Sequence, residues 1–215
     1  MAVHPGGLRP WRGWHTSARS EWDARQGRLV SAVRELRIAH ALVTLIQGEP
    51  IDYPRAALYA AVNARGVLAS GFGGAIRLAG GSEVERELRG RAPLLVGEAY
   101  ATGPGKLAER GVVRIIFGVT TTEPGGPPRR DHAERALQAG LALINQERIR
   151  SATFPEVGVR VGGIALAEAA SMLIDALGAQ LRRGALLEDI TIAGSHLEYL
   201  RACREHLFAI GATDP

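Results

Sequence analysis

Cysteine, lysine and long hydrophobic runs are scarce in this chain of 215 residues. Cys203 is the single cysteine, which excludes an internal disulfide framework and a cysteine-rich metal site. The longest uncharged stretch near the start, residues 38–48, is far shorter than the roughly 20 residues that cross a bilayer. The first 20 residues also lack the apolar segment of a secretory signal. We therefore expect a cytoplasmic protein with no membrane partner.

Signatures of several enzyme classes are also missing. Residues 103–107 (GPGKL) lack the Ser or Thr that follows the lysine of a P-loop. Gly71-x-Gly73 lacks the third glycine of a dinucleotide-binding loop, and the chain has no Gly-x-Ser-x-Gly nucleophile elbow. His196 and His206 are ten residues apart on a predicted helix, which is not a metal-ligand spacing. We therefore expect neither a metal nor a cofactor.

Positive charge is concentrated at the start of the chain. The formal net charge is +4, and residues 1–40 carry all of it, with seven arginines against three acidic residues. We interpret residues 1–40 as a solvated basic arm followed by an amphipathic helix. The less favoured alternative is a nucleic-acid arm, in which arginines contact phosphates and tryptophans stack on bases. Its residues would be Arg9, Trp11, Arg12, Trp14, Arg19, Arg25 and Arg28.

Apolar spacing predicts alternating helices and strands. Apolar residues over 21–38 follow a helical spacing, which predicts the amphipathic helix. Further predicted helices cover residues 131–146, 166–181 and 196–210, and Ser82 with Glu85 has the spacing of a capping box. Predicted strands cover residues 41–46, 57–62, 99–102, 112–119, 149–154 and 190–193. This alternation predicts an α/β domain over residues 41–215, with helices on both faces of the sheet.

Two glycine-rich loops, residues 66–74 and 158–163, each run into a predicted helix. Glycine lets main-chain amides approach a ligand closely, and a helix N-terminus adds about half a positive charge. Two such loops on neighbouring strands would suit a diphosphate bound from two sides. The alternative is that the glycines only mark tight strand-to-helix turns.

Several segments together resemble the macro domain, the ADP-ribose-binding module. Similarity runs from about residue 41 to residue 210. It is carried, in order, by Gln47-Gly48-Glu49-Pro50, Ala60-Ala61-Val62-Asn63, residues 71–81 (GFGGAIRLAGG), residues 96–107, residues 111–119, and Phe154-Pro155 followed by residues 159–163 (VRVGG). The resemblance implies a three-layer α/β/α sandwich with a mixed, mostly parallel sheet of six strands. It also implies a cleft that holds ADP-ribose, free or attached to protein.

By position, the resemblance assigns a role to each candidate residue. Glu49, beside Pro50, would accept a hydrogen bond from the adenine amino group, and Asn63 would lie near the distal ribose. Main-chain amides of both loops would hold the diphosphate. The ligand-binding set is Glu49, Pro50, Asn63, Gly71, Phe72, Gly73, Gly74, Ala75, Val159, Arg160, Val161, Gly162 and Gly163.

The chain also departs from the family pattern. Ala60 replaces the first asparagine of the usual motif, and Gly73 stands where hydrolytic members carry an aspartate that places a water. Arg160 replaces a loop glycine, so it either adds charge to the diphosphate or blocks the loop conformation. Gly162 and Gly194 fall where aromatic residues often flank the distal ribose and the adenine.

Four functions remain open. We favour a binding module for ADP-ribose or ADP-ribosylated protein. The second is a hydrolase that removes ADP-ribose from acidic side chains or deacetylates O-acetyl-ADP-ribose, with Asn63 as its candidate catalytic residue. The third is the nucleic-acid arm, and the fourth is a domain with a decayed site that serves only assembly. The oligomeric state is left open.

Overall fold

The computed structural model describes residues 21–23, 28–159 and 163–215, and these form one mixed sheet covered by helices on both faces. Within them the strands are β1 (Glu21–Asp23), β2 (Arg28–Ile38), β3 (Ala41–Gln47), β4 (Ala57–Asn63), β5 (Ala99–Thr102), β6 (Arg114–Thr121), β7 (Ser151–Phe154) and β8 (Asp189–Gly194). The α-helices are α1 (Gly71–Gly80), α2 (Ser82–Arg89), α3 (Arg130–Gln146), α4 (Leu166–Arg182) and α5 (Leu197–Ala209). Short 3-10 helices cover Pro50–Asp52 and Gly105–Arg110. The predicted three-layer α/β/α class is confirmed.

The strands of the sheet follow the order β1-β2-β3-β8-β7-β4-β6-β5. The five strands from β3 to β6 in this order pair in parallel, whereas β1, β2 and β5 pair antiparallel. Strands β4 and β6 are almost wholly buried because helices cover both faces of the sheet. Strands in this position consist of nearly continuous apolar runs. The six strands from β3 to β5 match the predicted sheet, and β1 and β2 extend it.

Helices α3, α4 and α5 cover one face of the sheet, and α1 and α2 cover the other. Side chains of β4 alternate between the two layers. Ala57 and Tyr59 pack in the larger apolar cluster, and Leu58, Ala60 and Val62 pack in the smaller one. Since five neighbouring strands are parallel, their carboxyl ends all lie along one edge of the sheet.

The amphipathic helix predicted for residues 21–38 is wrong, because this segment forms β1 and β2. Near the end of β2, Leu36 and Ile38 are buried and Arg37 between them is exposed, which is the alternation of a strand. A bulge interrupts the pairing of β2 with β3. A bulge adds one residue and breaks the period of two, so the apolar positions of the whole segment imitate a helical spacing.

Strand β2 is joined to the rest of the domain on both of its sides. It pairs with β3, and the Arg37 and Thr213 main chains exchange two hydrogen bonds of 2.8 and 2.9 Å. The arm at residues 1–20 lies outside the described residues, and the division of the chain at residues 40 and 41 stays a prediction. None of the described helices has both the length and the apolar character needed to cross a membrane.

Tyr59 of β4 packs its ring against Phe154, with ring centroids 5.7 Å apart. Its buried hydroxyl has no hydrogen-bond partner in the described part of the chain, and burial raises the pKa of that hydroxyl. Because Tyr59→Phe keeps the ring and removes an uncompensated polar group, we expect it to leave the free energy of unfolding unchanged or raise it by about 1 kcal/mol. Urea denaturation measures this difference. A loss of stability of about 1 kcal/mol or more would show that the hydroxyl makes a stabilising hydrogen bond.

Candidate functional site

The sheet has a topological switch point between the neighbouring strands β4 and β7. After β4 the chain enters α1 on one face and continues toward β6, whereas after β7 it enters α4 on the other face and continues to β8. The two strand-to-helix loops therefore leave the same edge and diverge. In α/β sheets such a divergence opens a crevice in which ligands bind.

Asn63 ends β4, and its buried side chain holds the β4–α1 loop, residues 64–70. Its Nδ2 donates a hydrogen bond of 2.8 Å to the Val67 carbonyl. Its Oδ1 accepts hydrogen bonds from the Arg65 and Val67 amides at 3.1 and 3.3 Å. An asparagine that binds nearby main chain in this way fixes a turn. Asn63 therefore determines the conformation of the loop that leads into α1.

The glycines of the first predicted phosphate loop form the first turn of α1. Gly71 begins the helix with φ of +59°, a conformation that favours glycine. Gly73 and Gly74 are buried against the preceding loop. An added Cβ would lie 3.2 Å from Leu68 Cδ2 at Gly73 and 3.4 Å from the Ala69 carbonyl at Gly74. A side chain at Gly73 would thus press on the Leu68 side chain, whereas a Cβ at Gly74 would make an ordinary contact.

The amides at the start of α1 differ in their hydrogen bonding. The Gly74 amide donates to the Ser70 carbonyl at 3.0 Å and is the first to bond within the helix. The amides of Gly71, Phe72 and Gly73 precede it and have no acceptor inside the helix. Phe72 and Ala75 are half-buried. This end of α1 carries partial positive charge and main-chain donors, which suit an anion.

The β7–α4 loop, residues 155–165, turns back on itself at Gly158. Gly158 has φ of +81°, and its carbonyl accepts a hydrogen bond of 2.8 Å from the Ile164 amide. Val159 and Gly163 are half-buried. The remaining predicted ligand residues of this loop, Arg160, Val161 and Gly162, lie outside the described residues.

Glu49 and Pro50 follow β3 at the same edge. The Gly48 amide donates to the Gly194 carbonyl at 3.0 Å, which joins the ends of β3 and β8. Glu49 is exposed and Pro50 is buried at the start of the 3-10 helix, which contacts both α1 and β8. The order β3-β8-β7-β4 places Glu49 three strands from Asn63, or about 15 Å at the usual strand spacing.

A carboxylate that the sequence motifs did not reveal joins the β7–α4 loop to the end of β8. Glu156 accepts a hydrogen bond of 2.8 Å from the His196 amide, and its second oxygen lies 2.7 Å from His196 Nδ1. The Glu156 side chain is only 10% exposed. A Cβ at Gly194 would overlap the Glu156 carboxylate, so a larger residue there would displace the Glu156 side chain. No local sequence signal links these residues, because they lie in separate loops of the chain.

The described residues offer no cluster of three or more His, Cys, Asp or Glu side chains that could hold a metal ion. Cys203 is buried in α5, and burial raises the pKa of its thiol to about 12. The reactive thiolate is therefore scarce at neutral pH. Neither observation points to metal or cysteine chemistry at the crevice.

Comparison with known proteins identifies relatives of the chain. The sequence model of the Macro domain family matches residues 60–173. An uncharacterized protein of Aeropyrum pernix is 32% identical over 151 residues, which cover 70% of this chain and 74% of that protein. The protein named O-acetyl-ADP-ribose deacetylase 1 from Pantoea vagans is 27% identical over 161 residues, which cover 70% of this chain and 89% of that protein.

Among solved structures, the chain resembles the Trypanosoma brucei macrodomain in complex with ADP-ribose. The TM-score is 0.66 at 22% identity, and the match covers 76% of this chain and 68% of that chain. This likeness concerns the fold, and it agrees with the α/β/α architecture described above. The family match extends over more than half of the sequence and includes the end of β4, α1 and the β7–α4 loop. The resemblance that the sequence motifs predicted is confirmed, and the chain belongs to the macro domain family.

Proposed function

We propose that this protein binds ADP-ribose, free or attached to a modified protein, in the crevice at the carboxyl ends of β3, β8, β7 and β4. The observation that carries the proposal is the pair of glycine-rich loops that follow the neighbouring parallel strands β4 and β7. The helices that they enter diverge to opposite faces of the sheet. Family membership supports the choice of ligand, and so does the complex of the Trypanosoma brucei macrodomain with ADP-ribose.

The diphosphate lies between the two loops. The Gly71, Phe72 and Gly73 amides donate to it at the N-terminus of α1, and the Val159 and Gly163 amides of the β7–α4 loop donate to it from the other side. The Gly74 amide, which the family resemblance includes among the donors, already donates to Ser70 and does not contribute. Charge-assisted hydrogen bonds from main-chain amides are stronger than neutral ones, so this cradle needs no cationic side chain.

The adenine and the distal ribose lie at opposite ends of the crevice. Glu49 is exposed at the β3 end and accepts a hydrogen bond from the adenine amino group. Asn63 lies at the β4 end near the distal ribose, where its amide group holds residues 65 and 67. Asn63 therefore contributes by positioning the β4–α1 loop.

The finer features of the setting remain proposals. A modified protein would supply the ADP-ribose group as the partner, and the single cysteine fits a cytoplasmic location. Nucleic acid is the less favoured partner, and the basic arm that would bind it is separate from the crevice in sequence. A domain that serves only assembly would fail to bind ADP-ribose at all.

Isothermal titration with ADP-ribose tests the cradle. We expect the wild type to bind and Gly71→Val to bind at least about tenfold more weakly, because a β-branched residue resists the positive φ that sets the first turn of α1. Gly111→Val is the matched control, since Gly111 has φ of +83°, open space around its Cβ, and a place near the opposite edge of the sheet. No heat with the wild type at high micromolar ligand would refute binding, and equal losses in both variants would refute the cradle.

Substitution at Glu49 tests the adenine end. A carboxylate accepts from the adenine amino group but repels the carbonyl oxygen of hypoxanthine, so the wild type should prefer ADP-ribose to inosine diphosphate ribose by about fivefold or more. We expect Glu49→Gln to reverse or abolish this preference, because an amide can donate to the hypoxanthine oxygen. The control is Glu109→Gln, an exposed glutamate in the 3-10 helix Gly105–Arg110. An unchanged preference in Glu49→Gln would place the adenine elsewhere.

A second candidate function is hydrolysis of O-acetyl-ADP-ribose or of ADP-ribose esters on acidic side chains. The name of the Pantoea vagans relative favours it. Against it, residues 64–70 contain no carboxylate and Gly73 supplies no general base. In the remaining mechanism for hydrolysis, the bound diphosphate itself places the attacking water, and Asn63 is the candidate catalytic residue.

Incubation with O-acetyl-ADP-ribose separates the two functions. We expect the wild type to bind this compound without releasing acetate faster than buffer does, because a general base that would contribute about 100-fold or more is missing. Chromatography of the products measures release. Two results together would establish the hydrolase instead. The wild type would release acetate and Asn63→Ala would not, while calorimetry would show that Asn63→Ala still binds ADP-ribose.

A further inference from the structure

The main chain of Leu68, just before α1, is held by two charged side chains. Glu85 of α2 accepts a hydrogen bond of 2.8 Å from the Leu68 amide. Arg77 of α1 donates through Nε a hydrogen bond of 3.2 Å to the Leu68 carbonyl. Arg77 Nε also lies 3.9 Å from the second Glu85 oxygen, and the Glu85 side chain is only 19% exposed. We call these three residues the Leu68 clamp.

The Leu68 clamp acts at the point where the β4–α1 loop meets the first turn of α1. The Leu68 side chain is 1% exposed and touches Gly73, since an added Cβ there would lie 3.2 Å from Leu68 Cδ2. The carbonyl oxygen of the next residue, Ala69, would lie 3.4 Å from a Cβ added to Gly74. A displacement of Leu68 therefore changes the space available to the turn that carries the Phe72 and Gly73 amides.

We propose that Glu85 is a positioning residue for diphosphate binding, and that it acts through Leu68 on the amides of Phe72 and Gly73. The inference rests on the proposed function, because it concerns the same crevice. Asn63 fixes the beginning of the loop, and Glu85 fixes its end. With both ends held, the donors at the start of α1 are ordered before the ligand arrives, which lowers the entropic cost of binding.

Glu85 has a matched control in the same helix. Glu87 of α2 also accepts a main-chain hydrogen bond, of 2.9 Å from the Gly103 amide, and also lies near an arginine, at 3.2 Å from Arg91 Nη2. It contacts the chain just after β5, the outermost strand on its side of the sheet, rather than the β4–α1 loop. Glu85→Ala thus removes a contact between a carboxylate and the main chain beside the crevice. Glu87→Ala removes the same kind of contact away from the crevice.

Calorimetric titration of full-length wild type, Glu85→Ala, Glu85→Gln and Glu87→Ala with ADP-ribose tests the proposal. We expect Glu85→Ala to bind about tenfold more weakly, because the Leu68 amide loses a charge-assisted acceptor. Glu85→Gln keeps an acceptor oxygen and should stay within about threefold of the wild type, and Glu87→Ala within about twofold. Thermal unfolding of each variant separates lost affinity from lost stability.

Amide NMR supplies a measurement that general destabilisation would not reproduce. Binding of ADP-ribose should shift the Phe72 and Gly73 amide resonances in the wild type and in Glu87→Ala. The shifts at the same ligand saturation should be smaller in Glu85→Ala, in which the donors are misplaced, and should return in Glu85→Gln.

The outcomes distinguish this proposal from the proposed function. Wild-type binding with equal affinities and equal amide shifts in Glu85→Ala and Glu87→Ala would overturn the role of Glu85 and leave ADP-ribose binding intact. A failure of the wild type to bind ADP-ribose would overturn both. A tenfold loss confined to Glu85→Ala, with recovery in Glu85→Gln, would support both.

Discussion

The parallel pairing of β4 with β7 is the constraint on which the site depends. Because these neighbours run in the same direction, their carboxyl ends lie side by side, and both following loops leave the sheet there. Helices α1 and α4 cover opposite faces, because the chain proceeds from β4 toward β6 and from β7 toward β8, in opposite directions along the sheet, and parallel crossovers are right-handed. A crevice between the two loops follows from this topology before any particular side chain is considered.

Side chains from other parts of the chain then fix the loops at that crevice. Asn63 and Glu85 hold the two ends of the β4–α1 loop, and Glu156 ties the β7–α4 loop to His196 after β8. Each of these contacts satisfies main-chain groups that an isolated loop would leave to water. The β4–α1 loop can therefore lead into a glycine-rich first turn of α1 and still have a defined conformation. This is possible because Asn63 and Glu85, which lie outside the β4–α1 loop, restrain its main chain.

Local sequence pattern predicted those features that depend on local structure. The buried parallel strands β3, β4 and β6 and helices α3 to α5 follow from apolar runs and helical spacing, and the glycine-rich segments mark both loops. The helix predicted for residues 21–38 failed because a bulge obscures the alternation of β2. The capping box at Ser82 was also wrong, since Gly81 caps α2 and Glu85 contacts Leu68 instead. Contacts such as those of Glu85 and Glu156 join distant segments, so a single sequence carries no local trace of them.

Three carboxylates near the two loops are engaged by other residues of the domain. Among the described residues near the two loops, Glu85 is engaged by Leu68, Glu156 by His196, and Glu123 by Arg65 through an ion pair of 2.7 Å. Glu85 and Glu156 each accept a main-chain hydrogen bond, whereas the ion pair of Glu123 with Arg65 is exposed to solvent. Main-chain amides at the start of α1 are donors that suit an anion, and the Glu85 carboxylate holds the Leu68 amide just before them. What the described residues offer at the β4–α1 loop is therefore hydrogen-bond donation from the main chain.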